Sequence, residues 1–506
     1  MSILTQLFEY VLQHSTQANA VKVLVALSAY YVYKYRGHAI GTRRRPDLKE
    51  PKGAVPLLGH LPLMASVPLT EFFEFLEKQN NELGPVWSIS IPGFGRIVQV
   101  DTVENLEYLA KTNFWNFGRG PSYKVMLKDL LGYDGIFTSE GTKWKLQRHI
   151  ASNIFNINAF REFTSDVFVV IGKKVLNHLA KAADEGTVID FQRLMFNFTL
   201  DAFGAVMFGD NFGLLDNNDV PNPFAVAIDD MLEGLADRVK DPLWKISERL
   251  NGTSKRVARN KEVLRGYCQN YIDKRRKEGL HSGKTDLLQL FLEGKDENGQ
   301  SMPDSQVAGR DTTAQSLTWM FYLLLRDGTD PEILRRLDRE VVEVLGGESP
   351  TYETHKKLKY TEACFNEALR VFPPIPRNLR YCESDDVLPD GTKVYAGEWV
   401  VWSSYVMGRS ESIWGPDAKE YKPSRWLNTE KPSPAKATSF HVGPRACIGQ
   451  QFAVIEVLTM TSMIFQSFSL EMEDPSKPPK YKASMGFPME GGLKLRVNRR
   501  FGATAI

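Results

Sequence analysis

A cysteine in a glycine-bounded loop is the residue of this chain with the clearest chemical potential. Cys447 lies in the segment Phe440–Gly449, shortly before the apolar run that begins at Phe452. Gly443 permits a turn with positive φ, and Gly449 lets the backbone come close to a neighbour. A cysteine at the start of a helix faces free N–H donors and the positive end of the helix dipole, which favour its thiolate. The segment therefore predicts a thiolate placed to bind a metal.

One kind of iron site suits a thiolate in this setting. Thiolate sulfur is a strong ligand for haem iron and donates electron density that favours cleavage of an O–O bond. Arg445, two residues before the sulfur, is placed to hold a haem propionate through charge-assisted hydrogen bonds. The pattern Phe-x-x-Gly-x-Arg-x-Cys-x-Gly is complete from Phe440 to Gly449 and resembles the haem-binding signature of the cytochrome P450 superfamily. A lone cysteine is more often a buried structural thiol, but five fixed residue types in ten positions favour haem.

The composition is that of an ordinary soluble body. Of 506 residues, 42% are hydrophobic and 25% charged, and we find neither an internal repeat nor a linker rich in Pro, Gly or Ser. We therefore expect one large body with a single buried cofactor. With 63 basic and 61 acidic residues the net charge is +2, so no overall field favours nucleic acid. The four cysteines, Cys268, Cys364, Cys382 and Cys447, are too few and scattered for a disulfide framework, which indicates a reducing compartment.

The N-terminal segment differs from the rest of the chain. An apolar stretch, Val21–Tyr33, is followed by basic residues that include Arg43–Arg45. Positive charge after the stretch predicts an anchor that retains the body on the cytosolic side of a membrane; a core helix at the start of the domain is the alternative. Prolines such as Pro46 and Pro51 would break any continuation of the helix. We thus expect an anchor region at 1–36, a basic, Pro-rich hinge at 37–62 and a catalytic domain at 63–506.

A second motif lies upstream of the cysteine loop. Glu367 and Arg370 are three residues apart within a helical pattern, so their side chains share one helix face and can pair. Alone, such a pair is usually a solvated surface ion pair. The segment Tyr421-Lys-Pro-Ser-Arg425-Trp follows, and in the P450 superfamily a Glu-x-x-Arg pair locks together with such a downstream arginine and braces the cysteine loop. The resemblance thus implies structural roles for Glu367, Arg370 and Arg425.

Further residues resemble the superfamily's partners for the haem propionates. Trp144-Lys-Leu-Gln-Arg148 is similar to its Trp-x-x-x-Arg helix, and Arg380 ends the segment that follows Arg370. Together with Arg445, these residues would supply three cations and an indole N–H to two carboxylates. Taken singly, each arginine would more often be an ordinary surface residue.

An acid and an alcohol stand next to each other in Ala308-Gly-Arg-Asp311-Thr312-Thr313. Small residues let a helix backbone come near a porphyrin, and Asp311 with Thr312 can relay protons to dioxygen through water. The alternative is a helix N-terminus, because Asp and Thr are favoured capping residues.

The residues before Ala308 depart from the superfamily pattern. That pattern has one very long helix with several apolar turns before Ala-Gly, whereas Asp296–Val307 is polar and Pro303 marks a helix start. From Ser305 to Arg326 the helix would be about 33 Å long, and we expect that roughly ten further residues, ~15 Å of helix, are missing before Ala308. The distal helix is therefore expected to be shortened by a lost exon or a mistaken gene structure.

The resemblance implies a mainly α fold with small β-sheets, near Val86–Val100 and in the haem half, and a single haem domain. It implies a monooxygenase with haem b on Cys447, and electrons from NADPH through a separate membrane-bound NADPH–cytochrome reductase, with a b-type cytochrome as a second donor. The substrate would be a lipophilic small molecule, reacting with O2, and the expected location is the endoplasmic reticulum membrane.

Finer similarity bears on the substrate. Stretches such as Leu388-Pro-Asp-Gly-Thr-Lys-Val resemble the branch of fungal alkane and plant fatty-acid terminal hydroxylases. Three alternatives stay open: a haem-thiolate isomerase or dehydratase acting on peroxides, a non-catalytic haem- or lipid-binding membrane protein, and an inactive product of altered splicing. NADPH turnover coupled to a lipid substrate separates an enzyme from a binder.

Overall fold

The computed structural model describes residues 17–132, 135–154, 157–216, 220–278, 288, 311–427, 430–482, 484 and 486–500. Helices dominate, and the strands form small sheets, as the resemblance implied. The helices before residue 280 are α1 Gln17–Lys34, α2 Leu61–Ser66, α3 Phe72–Leu83, α4 Val103–Glu107, α5 Pro121–Leu131, α6 Gly141–Ile154, α7 Ile157–Glu185, α8 Phe191–Phe208, α9 Pro223–Lys240, α10 Trp244–Leu250 and α11 Thr253–Glu278. The later helices are α12 Asp311–Leu325, α13 Pro331–Leu345, α14 Tyr352–His355, α15 Lys359–Val371, α16 Ser404–Arg409, α17 Glu411–Trp414 and α18 Gln450–Ser467.

In the part of the chain that the structure describes, ten strands are grouped into three sheets. They are β1 Val86–Ile91, β2 Gly95–Val100, β3 Phe117–Gly118, β4 Ile189–Asp190, β5 Asn378–Cys382, β6 Asp386–Val387, β7 Lys393–Val394, β8 Trp399–Trp402, β9 Phe468–Met472 and β10 Lys494–Arg499. The largest sheet has the order β1-β2-β8-β5-β3, with β1 and β2 antiparallel and β2 and β8 parallel. A second sheet, β4-β10-β9, ties the C-terminal strands to the start of α8. The first two strands confirm the sheet expected near Val86–Val100.

The core surrounds α12, which lies between α8 on one side and α18 on the other. Every residue from Thr313 to Leu324 is buried, so this helix is covered on all sides. The Phe321 ring stacks 5.4 Å from Phe465 of α18 and lies 4.5 Å from Phe191 of α8, centroid to centroid. Burial of each such ring contributes about 1.5–3 kcal/mol. The core thus holds α12 in a fixed position relative to the helix that follows the cysteine loop.

Several sequence expectations about helices are met. Helical periodicity over 160–180 and 191–207 corresponds to α7 and α8, and the pattern at 360–372 corresponds to α15. Within the described residues the distal helix begins at Asp311. The expected start at Ser305 and the suspected loss before Ala308 lie outside the described residues, as does the short helix expected after Lys284 apart from Leu288.

The N-terminal apolar stretch forms α1, and several of its large apolar side chains are exposed. Val21, Val25 and Tyr33 are each more than half exposed. Among the helices that the structure describes, none combines the length and apolar character needed to cross a membrane. The expected hinge packs onto the body: the Ala39 N–H donates to Ser90 Oγ, and His60 is fully buried beside β1.

Candidate functional site

The cysteine loop is a tight turn held by its own backbone. The Cys447 N–H donates to the Phe440 carbonyl at 2.7 Å, which closes the loop three residues before α18 begins. Gly443 has φ +69°, as predicted, and a Cβ there would overlap the Ala110 carbonyl, so only glycine fits. Gly449 makes no comparably close approach: within the described chain, the nearest atom to a Cβ built there is Cys447 Sγ at 4.0 Å.

The sulfur of Cys447 faces a concave space. The residue is exposed to solvent, yet burial among the surrounding atoms raises the pKa of its thiol above the ordinary value. Both observations hold together because the side chain lines a cleft. The Gly449 N–H and the charge of Arg148 lower the pKa, as expected for a helix start, but burial outweighs them. Without a metal the group is therefore a thiol, and coordination would have to displace its proton.

Cys364, Cys382 and Cys447 form no disulfide in the described part of the chain.

Three predicted arginines converge beside this cleft. Arg148 donates to the Ala446 carbonyl at 2.7 Å, and Arg445 donates to the Ser139 carbonyl at 2.8 Å. The Arg445 guanidinium also lies 4.4 Å from the centroid of the Trp144 ring. Burial, followed by repulsion from Arg119, lowers the pKa of Arg445 to about 9. The three arginines therefore come from α6, the cysteine loop and β5, which carries Arg380.

Arg380 is the most confined of the cations. It lies on β5 with 1% of its surface exposed, and its Nε and Nη2 have no hydrogen-bond partner among the described residues. Burial, with repulsion from Arg119 and Arg445, moves its pKa well below the ordinary value. The carboxylate of Glu140 acts against this lowering at both Arg380 and Arg445, and it also pairs with Lys124 at 3.5 Å. The cluster thus has more positive than negative charge and unsatisfied donors.

Sequence reasoning missed two members of this cluster. Arg119 follows β3, and its side-chain Nε has no partner within the described chain. His441 has φ +61°, rare for a residue with a Cβ, and its Nε2 lies 2.6 Å from Asn378 Oδ1. Burial and the charges of Arg380 and Arg119 lower the pKa of His441 to about 3, so the imidazole is neutral. For Arg119, the sequence offered only its position before Gly120, after the short segment Phe117-Gly118.

Glu367, Arg370 and Arg425 form the predicted ion cluster. Two parallel bonds of 2.7 and 2.8 Å join Arg370 to Glu367, which is fully buried, and Arg425 Nε lies 3.2 Å from the same carboxylate. Trp426 Nε1 also donates to Glu367 at 2.8 Å, and Arg370 donates to the Gly408 carbonyl. A buried carboxylate with this many donors is fully satisfied.

This ion cluster reaches the cysteine loop through α15. Ser439 Oγ donates to the Leu369 carbonyl at 2.9 Å, and the Phe365 ring lies 6.5 Å from the Phe440 ring.

The acid–alcohol pair, Asp311 and Thr312, occupies the first two positions of α12 in the described part of the chain. Thr312 is exposed while the next twelve residues of the helix are buried, so Thr312 borders an open space. The neighbouring Thr313 hydroxyl bonds to Glu456 of α18, a carboxylate that is 1% exposed. Burial raises the pKa of Glu456 to about 8. This contact joins the helix of the acid–alcohol pair to the helix that follows Cys447.

Comparisons with known proteins agree with this geometry. The family description "Cytochrome P450" matches residues 49–493. Cytochrome P450 monooxygenase cyp1 of Mycosarcoma maydis is 34% identical over 508 residues, covering 93% of this chain and 78% of that protein. Cytochrome P450 94B3 of Arabidopsis thaliana is 34% identical over 443 residues, with 83% and 86% covered. Cytochrome P450 86B1 of the same plant is 30% identical over 517 residues, with 95% and 89% covered.

This chain belongs to the cytochrome P450 family. It is therefore a monooxygenase that uses haem held by a cysteine thiolate and takes electrons from NADPH by way of a redox partner. The residues of the cleft fit that group. A thiol opens into a concave space, and a nearby cluster with excess positive charge includes buried guanidinium donors that lack a partner among the described residues.

Proposed function

We propose that this P450 hydroxylates the terminal carbon of a long-chain fatty acid or alkane. The proposal rests on the stretches that resemble fungal alkane and plant fatty-acid terminal hydroxylases, and a fungus and a plant supply the relatives described above. In the balanced reaction, one atom of O2 enters a C–H bond and the other leaves as water. NADPH and a proton supply the two electrons and two protons that form the water.

We assign the haem-holding roles to the cleft residues. Cys447 would hold the haem iron, and Arg148, Arg380, Arg445 and Trp144 would hold the two propionates, because guanidinium and indole N–H groups donate charge-assisted hydrogen bonds to carboxylates. We add Arg119, whose side-chain Nε has no partner within the described chain. When bound, the haem supplies the iron at which O2 is reduced, helped by electron donation from the thiolate.

We assign proton delivery to Asp311 and Thr312. Thr312 is exposed, so its hydroxyl can order a water at the open space it borders, and a carboxyl group next to it in sequence, that of Asp311, is the type of group that relays protons through such a water. Glu367, Arg370 and Arg425 act at a distance, because they brace the loop that carries Cys447.

We also propose that the chain works at the endoplasmic reticulum membrane with an NADPH–cytochrome reductase, and with a b-type cytochrome as a second donor. The exposed apolar side chains of α1 support membrane contact, and the basic residues after it support a cytosolic body. A long-chain substrate dissolved in the bilayer would be within reach of such an enzyme.

The first experiment records the difference spectrum of the ferrous–carbon monoxide complex of the full chain. We expect the red-shifted Soret band of thiolate-ligated haem, absent in Cys447→Ser and unchanged in the matched control Cys268→Ser. The second reconstitutes the chain with NADPH and a reductase and measures products from C12 to C18 fatty acids and alkanes.

Terminal alcohols formed only with NADPH and reductase together would support the proposed reaction. Conversion of a lipid hydroperoxide without NADPH would indicate the isomerase or dehydratase instead. A normal Soret band without turnover of any of these compounds would contradict the fatty-acid and alkane assignment.

A further inference from the structure

A surface turn lies shortly before the cysteine loop and has no role in the site described above. It has the sequence Lys431-Pro-Ser433-Pro-Ala-Lys436, and we name it the Ser-Pro turn. The Lys436 N–H donates to the Ser433 carbonyl at 2.9 Å, so residues 433–436 form a β-turn with Pro434 at its second position, where the fixed φ of proline is favourable. The Ser433 hydroxyl accepts from the same N–H at 3.3 Å.

The hydroxyl of this turn is accessible to another protein. Ser433 and Pro434 are exposed, whereas the next residue, Ala435, is 2% exposed and packs in a small apolar cluster with Val442. A second bond, from the Ala437 N–H to the Ser433 carbonyl at 2.9 Å, closes the turn. An enzyme that binds the segment in extended form must open these bonds and withdraw one methyl group. Such local opening costs much less than global unfolding, because alanine buries little apolar surface.

The residue types of the turn match the substrates of one class of enzyme. Proline-directed protein kinases modify a Ser or Thr that precedes proline, which has no N–H and fits an apolar pocket. A basic residue three positions after the Ser strengthens recognition by pairing with anionic groups of the kinase. Pro434 and Lys436 meet both requirements. The chain has one other Ser-Pro pair, at the exposed Ser349, and no Thr-Pro pair. Because Tyr352 stands three positions after Ser349, that pair is an internal control.

A phosphate on Ser433 would meet positive charge within its own turn. Its oxygens would lie beside the Lys436 N–H, and Lys431 and Lys436 supply ammonium groups on both sides of it in sequence. Lys436 Nζ now lies 4.8 Å from the centroid of the Trp414 ring. The same ring lies 5.3 Å from the guanidinium carbon of Arg370, which belongs to the ion cluster that braces the cysteine loop. The phosphate would therefore compete with Trp414 for Lys436 beside that ion cluster.

The surface around the Ser-Pro turn carries exposed cations. Ala110, which belongs to the same apolar cluster as the turn, precedes the exposed Lys111, whose Nζ pairs with Glu107 at 3.1 Å. Lys145 is exposed on α6, three residues before Arg148, which bonds to the cysteine loop. An electron donor with an acidic docking surface would be attracted to these cations. A phosphate, which adds about two negative charges, would oppose that attraction.

We propose that Ser433 is a phosphorylation site for a proline-directed protein kinase, and that its phosphate weakens docking of the electron-donating reductase beside the cysteine loop. The γ-phosphoryl group of ATP is transferred to Ser433 Oγ. A new O–P bond forms, the bond from that phosphorus to the bridging oxygen breaks to release ADP, and the hydroxyl proton passes to solvent. The effect on docking rests on the reductase of the proposed function, whereas the modification of Ser433 does not.

The first test incubates the haem-loaded full chain with MgATP and a proline-directed kinase, and maps the modified peptides by mass. We expect a gain of roughly 80 Da in the peptide that contains Ser433 and at least about ten-fold less phosphate at Ser349. Pro434→Ala keeps the hydroxyl and should abolish the modification, and Lys436→Ala should reduce it. The assignment is overturned if the kinase modifies a free peptide of residues 428–440 but not the folded chain, or if Ser349 and Ser433 are modified equally.

The second test measures the dissociation constant of the complex with NADPH–cytochrome reductase at low and high salt. We expect phosphorylated Ser433 to raise it by about three-fold or more at low salt and Ser433→Asp by a smaller factor, with both effects lost at high salt. Ser349→Asp adds the same charge at the control site and should leave the constant unchanged. An unchanged constant in the phosphorylated chain would overturn the effect on docking.

The two tests separate this inference from the proposed function. A chain that is phosphorylated at Ser433 but binds no reductase would support the modification site, and would contradict both the docking effect and the proposed reductase.

Discussion

At the scale of single residues, the site contains two kinds of buried charge. One kind has all its hydrogen-bond partners within the protein, and the other lacks some of them. Glu367 is surrounded by donors, whereas Arg380 keeps two nitrogens without a partner in the described chain. The first arrangement is complete in the protein alone. The free nitrogens of Arg380 would gain hydrogen-bond partners when a ligand with carboxylates binds, and we therefore interpret the cluster as a binding site.

Replacement of either Glu367 or Arg370, which form the buried ion pair, should cause the protein to lose haem. Glu367→Ala or Arg370→Ala leaves the other charge buried and uncompensated, which costs about 3–5 kcal/mol. Because this cluster braces the cysteine loop, we expect haem content to fall sharply rather than turnover alone, as measured by the pyridine haemochrome assay. Glu353→Ala breaks an exposed pair with Lys356 at 2.9 Å and should retain haem. Full haem content in Arg370→Ala would contradict the bracing role.

The buried Glu456 should make stability depend on pH. Its folded pKa of about 8 is above the ordinary 4.5, so its contribution to stability is present below about pH 4.5 and is lost as the pH rises through about 8. Glu456→Gln is neutral throughout and should raise the free energy of unfolding at pH 8 by on the order of 1–3 kcal/mol, with a much smaller gain at pH 5. Urea unfolding at both pH values measures this.

The exposed Glu471→Gln serves as the control for that comparison and should change neither value. Equal effects of Glu456→Gln at pH 5 and pH 8 would show that the carboxyl does not titrate in this range.

At the scale of elements, one buried arginine bonds helix α9 to both α10 and α5. Arg238 of α9 is bonded to Glu248 of α10 at 2.6 Å, to Asp129 of α5 at 2.9 Å and to the Met126 carbonyl at 2.7 Å. Its side chain is 3% exposed. Since α5 also carries Lys124, which pairs with Glu140 beside the haem-holding cluster, this ion hub connects the outer helices to the cofactor cleft.

Loss of this hub should loosen α5, α9 and α10 together. Arg238→Met leaves two carboxylates without their shared cation, and we expect faster hydrogen exchange across 121–131 and 223–250 with a loss of about 3–5 kcal/mol. Arg256→Met on α11 removes a 3.2 Å pair with Asp230 that is half exposed, and its effect should stay within about 1 kcal/mol. Exchange that rises in α9 alone would show that α5 is held by other contacts.

At the scale of the whole molecule, the packed body begins near His38. Ala39 is fully buried, and Arg45 bonds to Glu398 at 2.7 Å across most of the chain length. The segment before it, α1, has exposed apolar side chains instead.

Two truncations should therefore behave differently. A chain that begins at His38 should keep its haem spectrum and melting temperature but sediment less with phospholipid vesicles, because it lacks only residues 1–37, which include α1. A chain that begins at Leu63 loses the Arg45–Glu398 pair and the buried His60, and should melt several degrees lower. If the chain that begins at His38 still binds vesicles as the full chain does, the membrane contact lies on the body and not on α1.

The sequence by itself determined the chemistry at Cys447, the pairing of Glu367 with Arg370 and the main helices. Each depends on a local pattern: a turn that only Gly443 permits, a spacing of three on one helix face, or a periodic apolar stripe. Such patterns are readable because neighbours in sequence are neighbours in space.

Only the tertiary structure decided what these elements meet. Arg119 and the neutral His441 lie beside the predicted arginines, Glu456 reaches Thr313, and Gln315 bonds to the backbone of Phe487 more than 160 positions away. None of these pairs has a spacing that a sequence pattern reports, because chain folding rather than local geometry brings them together. The raised pKa of the Cys447 thiol is likewise a property of the folded chain: the helix start alone favours the thiolate, and burial in the folded protein outweighs it.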